Sequence, residues 1–260
     1  TATAPPPSRR APRQPGAPHS GSVAMAAAGL CGLVAALETH RGRDRAVRAL
    51  CYGCQLAGGA LAAPQASPSG LPKGLLAVSA HLSACRTALR LFDDFAALSY
   101  SYSYGLGPKD EDAVVRGLSV LCNLANQLYY PSEHIAWAAD VGIVRVSSKK
   151  WWTVSTGLWA FSLLLDILRS LRILFLLRSK LKQRKCPSSP QSRKETRAQV
   201  KAEALSILSD MADLSNAIHW LPPGFLWAGR FPPWLVGLLG MVSSLIGIYQ
   251  AHGGGNSEAV

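Results

Sequence analysis

Acids are scarce in this chain: 15 Asp and Glu stand against 27 Lys and Arg, a formal net charge of +12. There is no Asn-x-Ser/Thr acceptor, so nothing points to the secretory route. The six cysteines, at positions 31, 51, 54, 85, 122 and 186, are too dispersed for a small disulfide scaffold. The six histidines, at 19, 40, 81, 134, 219 and 252, share no ligand spacing, and no two carboxylates stand as an acid–base couple. A phosphate-cradling glycine loop is missing. So is Gly-x-Ser-x-Gly, which leaves His252-Gly253-Gly254-Gly255, the oxyanion string of some lipases, without a nucleophile. Cys51-Tyr52-Gly53-Cys54 has redox or metal spacing but no second pair, and reads as two small apolar residues. Catalytic residues, metal and cofactor are therefore not expected. Strand-type alternation is never sustained, so the fold class expected is all-α.

Long, strongly apolar runs are also few, and one of them is informative. Phe231–Ala251 carries no charge over 21 residues. At ~1.5 Å per residue a helix of this length covers roughly 31 Å, the thickness of a bilayer's hydrocarbon core. Pro232 and Pro233 cost least at the start of a helix, and Trp234 and Tyr249 lie where amphipathic rings favour the headgroup region. Gly237, Gly240, Ser243, Ser244 and Gly247 form a small-residue face expected to admit a second helix, as in self-association. The segment 231–251 is expected to span a membrane. Trp151–Leu177 is the second hydrophobic segment. Its uncharged run ends at Leu165, and Asp166, Arg169 and Arg172 follow. A charge at mid-bilayer costs ~2.5–3.5 kcal/mol; pairing of Asp166 with Arg169 at i,i+3 would lower that cost. Spanning and lying in the interface both stay open, with a second crossing preferred.

The remaining stretches order the chain. Residues 1–24 hold six prolines, three arginines and no acid, and are expected to be disordered, with Met25 as the native start. Residues 25–150 read as a helical N-terminal region. Within it, Leu75–Leu98 is amphipathic: Leu82, Cys85, Leu89, Phe92 and Phe95 step by three or four, while Arg86, Arg90, Asp93 and Asp94 take other faces. Asp110-Glu111-Asp112 opens a further helix, and Pro131 is expected to stop it. Residues 178–199 form a basic linker; Arg178–Lys201 holds nine basic residues against Glu195 alone. Residues 200–221 carry a heptad seam, Val200, Ala204, Ile207, Met211, Leu214, Ile218 and Leu221, suited to a helix or a membrane surface. Residues 252–260 are a short tail. Ser179-Lys180-Leu181 spells a peroxisomal import tripeptide that is read only at a free C-terminus, so this internal copy is expected to be inert.

A basic cluster beside a hydrophobic segment suits a membrane surface or a targeting receptor. On residues alone two other classes stay open: a membrane-anchored transporter or enzyme, and a soluble basic helical protein that binds nucleic acid. No aromatic platform interleaves with the cluster, which argues against nucleic acid as a partner.

Longer strings narrow the choice. Leu37–Arg45 (LETHRGRDR), Cys85–Asp94 (CRTALRLFDD), Gln127–Asp140 (QLYYPSEHIAWAAD), Ala217–Pro222 (AIHWLP) and Trp227–Gly240 (WAGRFPPWLVGLLG) resemble the peroxisomal membrane protein 11 family, or peroxin-11, in its gamma or C type. The likeness runs from about Met25 to Gln250. It implies a non-enzymatic, multi-pass peroxisomal membrane protein, termini cytosolic, that promotes membrane elongation, constriction and fission during peroxisome proliferation. It also implies partners: membrane lipid, the protein itself and other isoforms, a dynamin-related GTPase with its fission adaptors, and an import receptor for peroxisomal membrane proteins. The family's membrane-remodelling amphipathic helix would fall in Leu75–Leu98, with Leu82, Cys85, Leu89, Phe92 and Phe95 entering the bilayer and Arg86 and Arg90 facing lipid. Arg178, Lys180, Lys182, Arg184 and Lys185 are expected to form the targeting cluster.

Overall fold

The computed structural model describes residues 31–32, 34–35, 37–62, 70–108, 112–183 and 190–253. The expected disordered segment 1–24 lies outside them, as do Arg184, Lys185 and residues 254–260 of the tail. The chain divides into two units, Thr1–Arg43 and Asp44–Val260. Among the described residues the named elements are seven helices and no strand: α1 (His40–Leu61), α2 (Leu71–Arg90), α3 (Asp93–Tyr104), α4 (Ala113–Asp140), α5 (Ser148–Gln183), α6 (Pro190–Trp220) and α7 (Pro233–Gly253).

In the first unit the start of α1 is fixed locally. Thr39 Oγ1 accepts from the Gly42 amide at 3.0 Å, which satisfies one of the four orphan donors of a helix start.

In the second unit, helices that follow one another pack on one another: α3 on α4, α4 along α5, α5 along α6, and α6 along α7. The amphipathic segment expected as one helix over 75–98 is two. The chain turns at Leu91–Phe92, and α3 restarts with Asp93 and Asp94 in its first turn, where carboxylates meet the positive end of the helix dipole. Gly105, at φ 54°, ends α3 in a backbone region that disfavours side chains.

Asp112 caps α4 by accepting from the amides of Val114 and Val115 at 3.1 and 3.3 Å. Pro131 does not stop this helix; α4 runs through it to Asp140. An interior proline costs about 3 kcal/mol, and packing on both sides outweighs it. Val115, Ser119, Cys122 and Ala125 before the proline, and Ser132, Glu133 and Ala136 after it, are all buried. The expected basic linker 178–199 is divided as well. Residues 178–183 finish α5 and 190–199 begin α6. In α6 the buried residues are Ala212, Asp213, Asn216, Ala217 and Ile218, so the heptad seam is only partly the packed face; Met211 on that seam is exposed.

One helix among the described residues, Pro233–Ala251, is long and apolar enough to cross a membrane by length and composition. Helix α5 is longer, at 36 residues, but Asp166, Arg169 and Arg172 interrupt its apolar stretch.

Candidate functional site

Helix α7 has two faces. Val236, Gly237, Gly240, Ser243, Ser244 and Ile246 are buried, while Trp234, Leu238, Leu245 and Tyr249 form an exposed stripe. The small residues are consumed inside the chain. A Cβ on Gly237 would strike the Leu56 backbone, one on Gly240 the Tyr52 ring, and one on Gly59 of α1 would strike the Trp234 backbone. The face expected to receive a second molecule is therefore occupied by α1 from Gly237 to Gly240; only Gly247 has open space around it.

Ser243 joins a polar node beneath that contact. Arg48 Nη2 donates to Asp213 Oδ1 and Oδ2 at 2.6 Å each, and to Ser243 Oγ at 2.8 Å. Ser243 Oγ also donates to Asp213 Oδ2 at 2.8 Å. Burial works against the Arg48 charge, but Asp213 more than offsets it, and the guanidinium is held more firmly protonated than usual. At the far end of α7, Lys201 Nζ lies 2.6 Å from Tyr249 Oη and 4.8 Å from the ring centroid.

The turn between α6 and α7 is built from residues in two of the resemblance strings. His219 stacks on Phe231 at 5.3 Å, and its Nδ1 accepts from the Phe231 amide at 3.2 Å. Trp227 Nε1 donates to the Ser215 carbonyl at 3.0 Å and its ring stacks on Phe231 at 6.1 Å. Burial holds the imidazole below its usual pKa, which keeps Nδ1 free to accept. Gly224 and Gly229 take positive φ here, and Leu226 does so at 42°, the one described non-glycine residue in that region.

The residues expected to meet the bilayer divide into two groups. Leu82 and Leu89 on α2 are half-buried and Cys85 is exposed. Phe92 and Phe95 are 72% and 79% exposed, and Leu98 and Tyr102 continue an exposed apolar row along α3. Arg86 and Arg90, expected to face lipid, instead bind helices together. Arg86 Nε reaches Asp44 Oδ1 at 2.8 Å; Arg90 Nε and Nη2 reach the two Glu133 oxygens at 2.9 and 2.5 Å. Tyr129 Oη donates to the same Glu133 at 2.9 Å. A guanidinium held in a bidentate carboxylate pair has its donors committed within the bundle, which is the physical reason for the correction. Helix α3 is tied back by His134 Nδ1 to Asp94 Oδ2 at 3.1 Å and by Gln127 Nε2 to Ser101 Oγ at 3.2 Å.

In α5 the expected pair Asp166–Arg169 forms, at 3.4 Å. Arg172 reaches back to the cap Asp112 at 3.0 Å. Cys122 donates to Asp166 Oδ2 at 3.3 Å; burial, then Asp166, pushes its thiol up to about 12, so it is an inert core residue. Of the targeting cluster, Arg178 is exposed at the end of α5, and Lys180 and Lys182 lie in that helix.

Among the described residues, an all-helical fold with one helix long and apolar enough to cross a membrane, and apolar side chains left exposed on α3, is the pattern of a membrane-associated helical protein. The comparisons place it within that class. The family described as Peroxisomal biogenesis factor 11 (PEX11) matches residues 30–252. Human Peroxisomal membrane protein 11C is 56% identical over 237 residues, 89% of this chain and 98% of that protein. The mouse protein of the same name is 51% identical over 87% of this chain and 96% of its own length. Human Peroxisomal membrane protein 11B is 28% identical over 79% of this chain and 90% of its own length. No solved structure matches the chain. The chain belongs to the peroxisomal biogenesis factor 11 family, and its similarity is to the gamma or C type.

Proposed function

We propose that this is a peroxisomal membrane protein that elongates and constricts the membrane and prepares it for fission, with α7 as anchor and α3 as wedge. The observation that carries the reading is the exposed row of Phe92, at the start of the short helix α3, and Phe95, Leu98 and Tyr102 along it. Burying one such side chain in the headgroup boundary stabilises by roughly 1.5–3 kcal/mol. Insertion into one leaflet expands that leaflet and favours curvature. The wedge moves from the expected α2 face to α3, because α2 spends its arginines on Asp44 and Glu133.

Helix α5 supplies the second apolar segment of a multi-pass protein with cytosolic termini. Its Arg169 and Arg172 are paired with Asp166 and Asp112, which lowers the cost of placing them at a membrane boundary. Self-association and pairing with other isoforms would concentrate wedges at a constriction. There fission adaptors and a dynamin-related GTPase complete the division. An import receptor would read Arg178, Lys180, Lys182, Arg184 and Lys185 beside α5. The names of the relatives, all peroxisomal membrane proteins, support the location.

The test is Phe92→Glu with Phe95→Glu in the full chain, expressed in cells lacking it. Because both side chains are exposed, the protein should accumulate and integrate as before, yet peroxisomes should no longer elongate. Normal elongation by a stably integrated double variant would overturn the wedge.

A further inference from the structure

Residues of α1, α2, α4 and α5, with Trp220, line a cavity of about 930 Å³. That is near the top of the ~300–1,000 Å³ range of small-molecule sites. Its wall combines three chemistries. Arg48, Arg86 and Arg90 bring guanidinium groups, and Glu133 and Asp166 bring carboxylates. Two ring pairs bring aromatic faces: Trp159 on Trp220 at 5.8 Å and 22°, and Tyr129 against Tyr130 at 5.1 Å and 66°.

Charge balance restricts what fits. Each arginine already faces a carboxylate: Asp213, Asp44 and Glu133 respectively. A simple anion would find its cations compensated, and a simple cation would meet three guanidinium groups. A molecule carrying both signs a short distance apart can use both. Two observations narrow it further. Arg48 lies on the wall, and its Nε is buried with no hydrogen-bond partner. Aromatic faces are the recurring means of holding a quaternary ammonium group.

We infer that this cavity binds a phosphocholine headgroup, with the phosphate at Arg48 and the trimethylammonium against the stacked Trp159 and Trp220 rings on the Asp166 side. Leu76 and Leu163 on the wall offer apolar surface for the beginning of an acyl chain. The inference does not depend on the wedge, and its test uses no peroxisome.

The experiment takes the full-length protein in an uncharged maltoside detergent free of choline lipid. Intrinsic tryptophan fluorescence is followed during titration with short-chain phosphatidylcholine, with phosphatidylglycerol of the same chains, and with water-soluble phosphocholine. The expected result is a saturable response to the choline lipid, about tenfold weaker for the glycerol lipid. Competition by phosphocholine would identify a soluble source as sufficient; a lipid response without competition would identify a bilayer lipid. Either supports the headgroup site. Arg48→Lys keeps the charge opposite Asp213 but removes the unpartnered Nε–H, and Trp159→Leu removes a ring; each should weaken binding about tenfold. Ala84→Phe fills the cavity from an exposed wall position and breaks no ion pair. No response, an equal response to both lipids, or unchanged binding by an Ala84→Phe protein with native helicity would overturn the inference.

Discussion

Asp210 on α6 keeps its proton unusually far up the pH scale. Burial, then the nearby charges of Asp166 and Asp213, push its carboxyl up to about 7. A carboxyl whose folded pKa lies above its unfolded value gives the folded state more bound protons. Its contribution is complete below the unfolded pKa and is lost as pH rises through 7. Thermal stability of the purified protein should therefore fall between about pH 4 and about pH 7, and Asp210→Asn, which cannot ionise, should flatten that slope. A second residue prediction concerns the node on the α1–α7 contact. Asp213→Ala leaves Arg48 part-buried without its carboxylate, and breaking such a pair costs about 3–5 kcal/mol. The melting temperature in detergent should drop sharply, whereas Arg172→Ala, which removes the more exposed pair to Asp112, should lower it far less. At this scale legibility follows chain distance. Asp166–Arg169 could be read from the sequence because an i,i+3 spacing puts both on one side of a helix. Arg48 and Asp213 are 165 residues apart, and only the fold brings them together.

Helices were easier to foresee than where they break or what covers them. The apolar periodicity of residues 75–98 is genuine, yet the break at Leu91–Phe92 carries no glycine or proline to announce it. Pro131 gives the opposite error, a strong local stop signal overridden by the buried face of α4 on either side. The small-residue face of α7 was legible as a place of close approach, but spacing alone does not say whose helix approaches. That difference can be measured. Gly240→Leu forces a side chain into the Tyr52 ring and should destabilise the fold by about 1–3 kcal/mol, seen as a lower melting temperature. Gly247→Leu enters open space and should fold normally. If self-association uses the remainder of this face, cross-linked dimer should drop for the second variant without loss of stability.

For the molecule as a membrane protein, the exposed stripe of α7 is the surface at stake. Trp234, Leu238, Leu245 and Tyr249 lie on one side of the one helix among the described residues that is long and apolar enough to cross, opposite the side that packs inward. Arginine near mid-bilayer costs about 2.5–3.5 kcal/mol on insertion scales. Leu238→Arg with Leu245→Arg should therefore shift the protein from the alkali-resistant membrane pellet to the soluble fraction, while the inward contacts to α1 stay intact. The same change made in a protein whose α7 is merely a core helix would leave fractionation unchanged. The run itself was fully legible, because charge absence over a bilayer's width needs no tertiary knowledge.

The Arg48–Asp213–Ser243 node also sets an order of opening. Separating α1 from α6 and α7 strands a charge, so that part can come apart only with the whole bundle. Helix α3 is held to α4 by a histidine–carboxylate contact and an amide–hydroxyl bond, with its large apolar side chains already outside. Its backbone amides should exchange with solvent deuterium through local excursions that cost far less than global unfolding. The segment proposed as the wedge can then fluctuate and re-seat while the α1–α6–α7 contact stays closed.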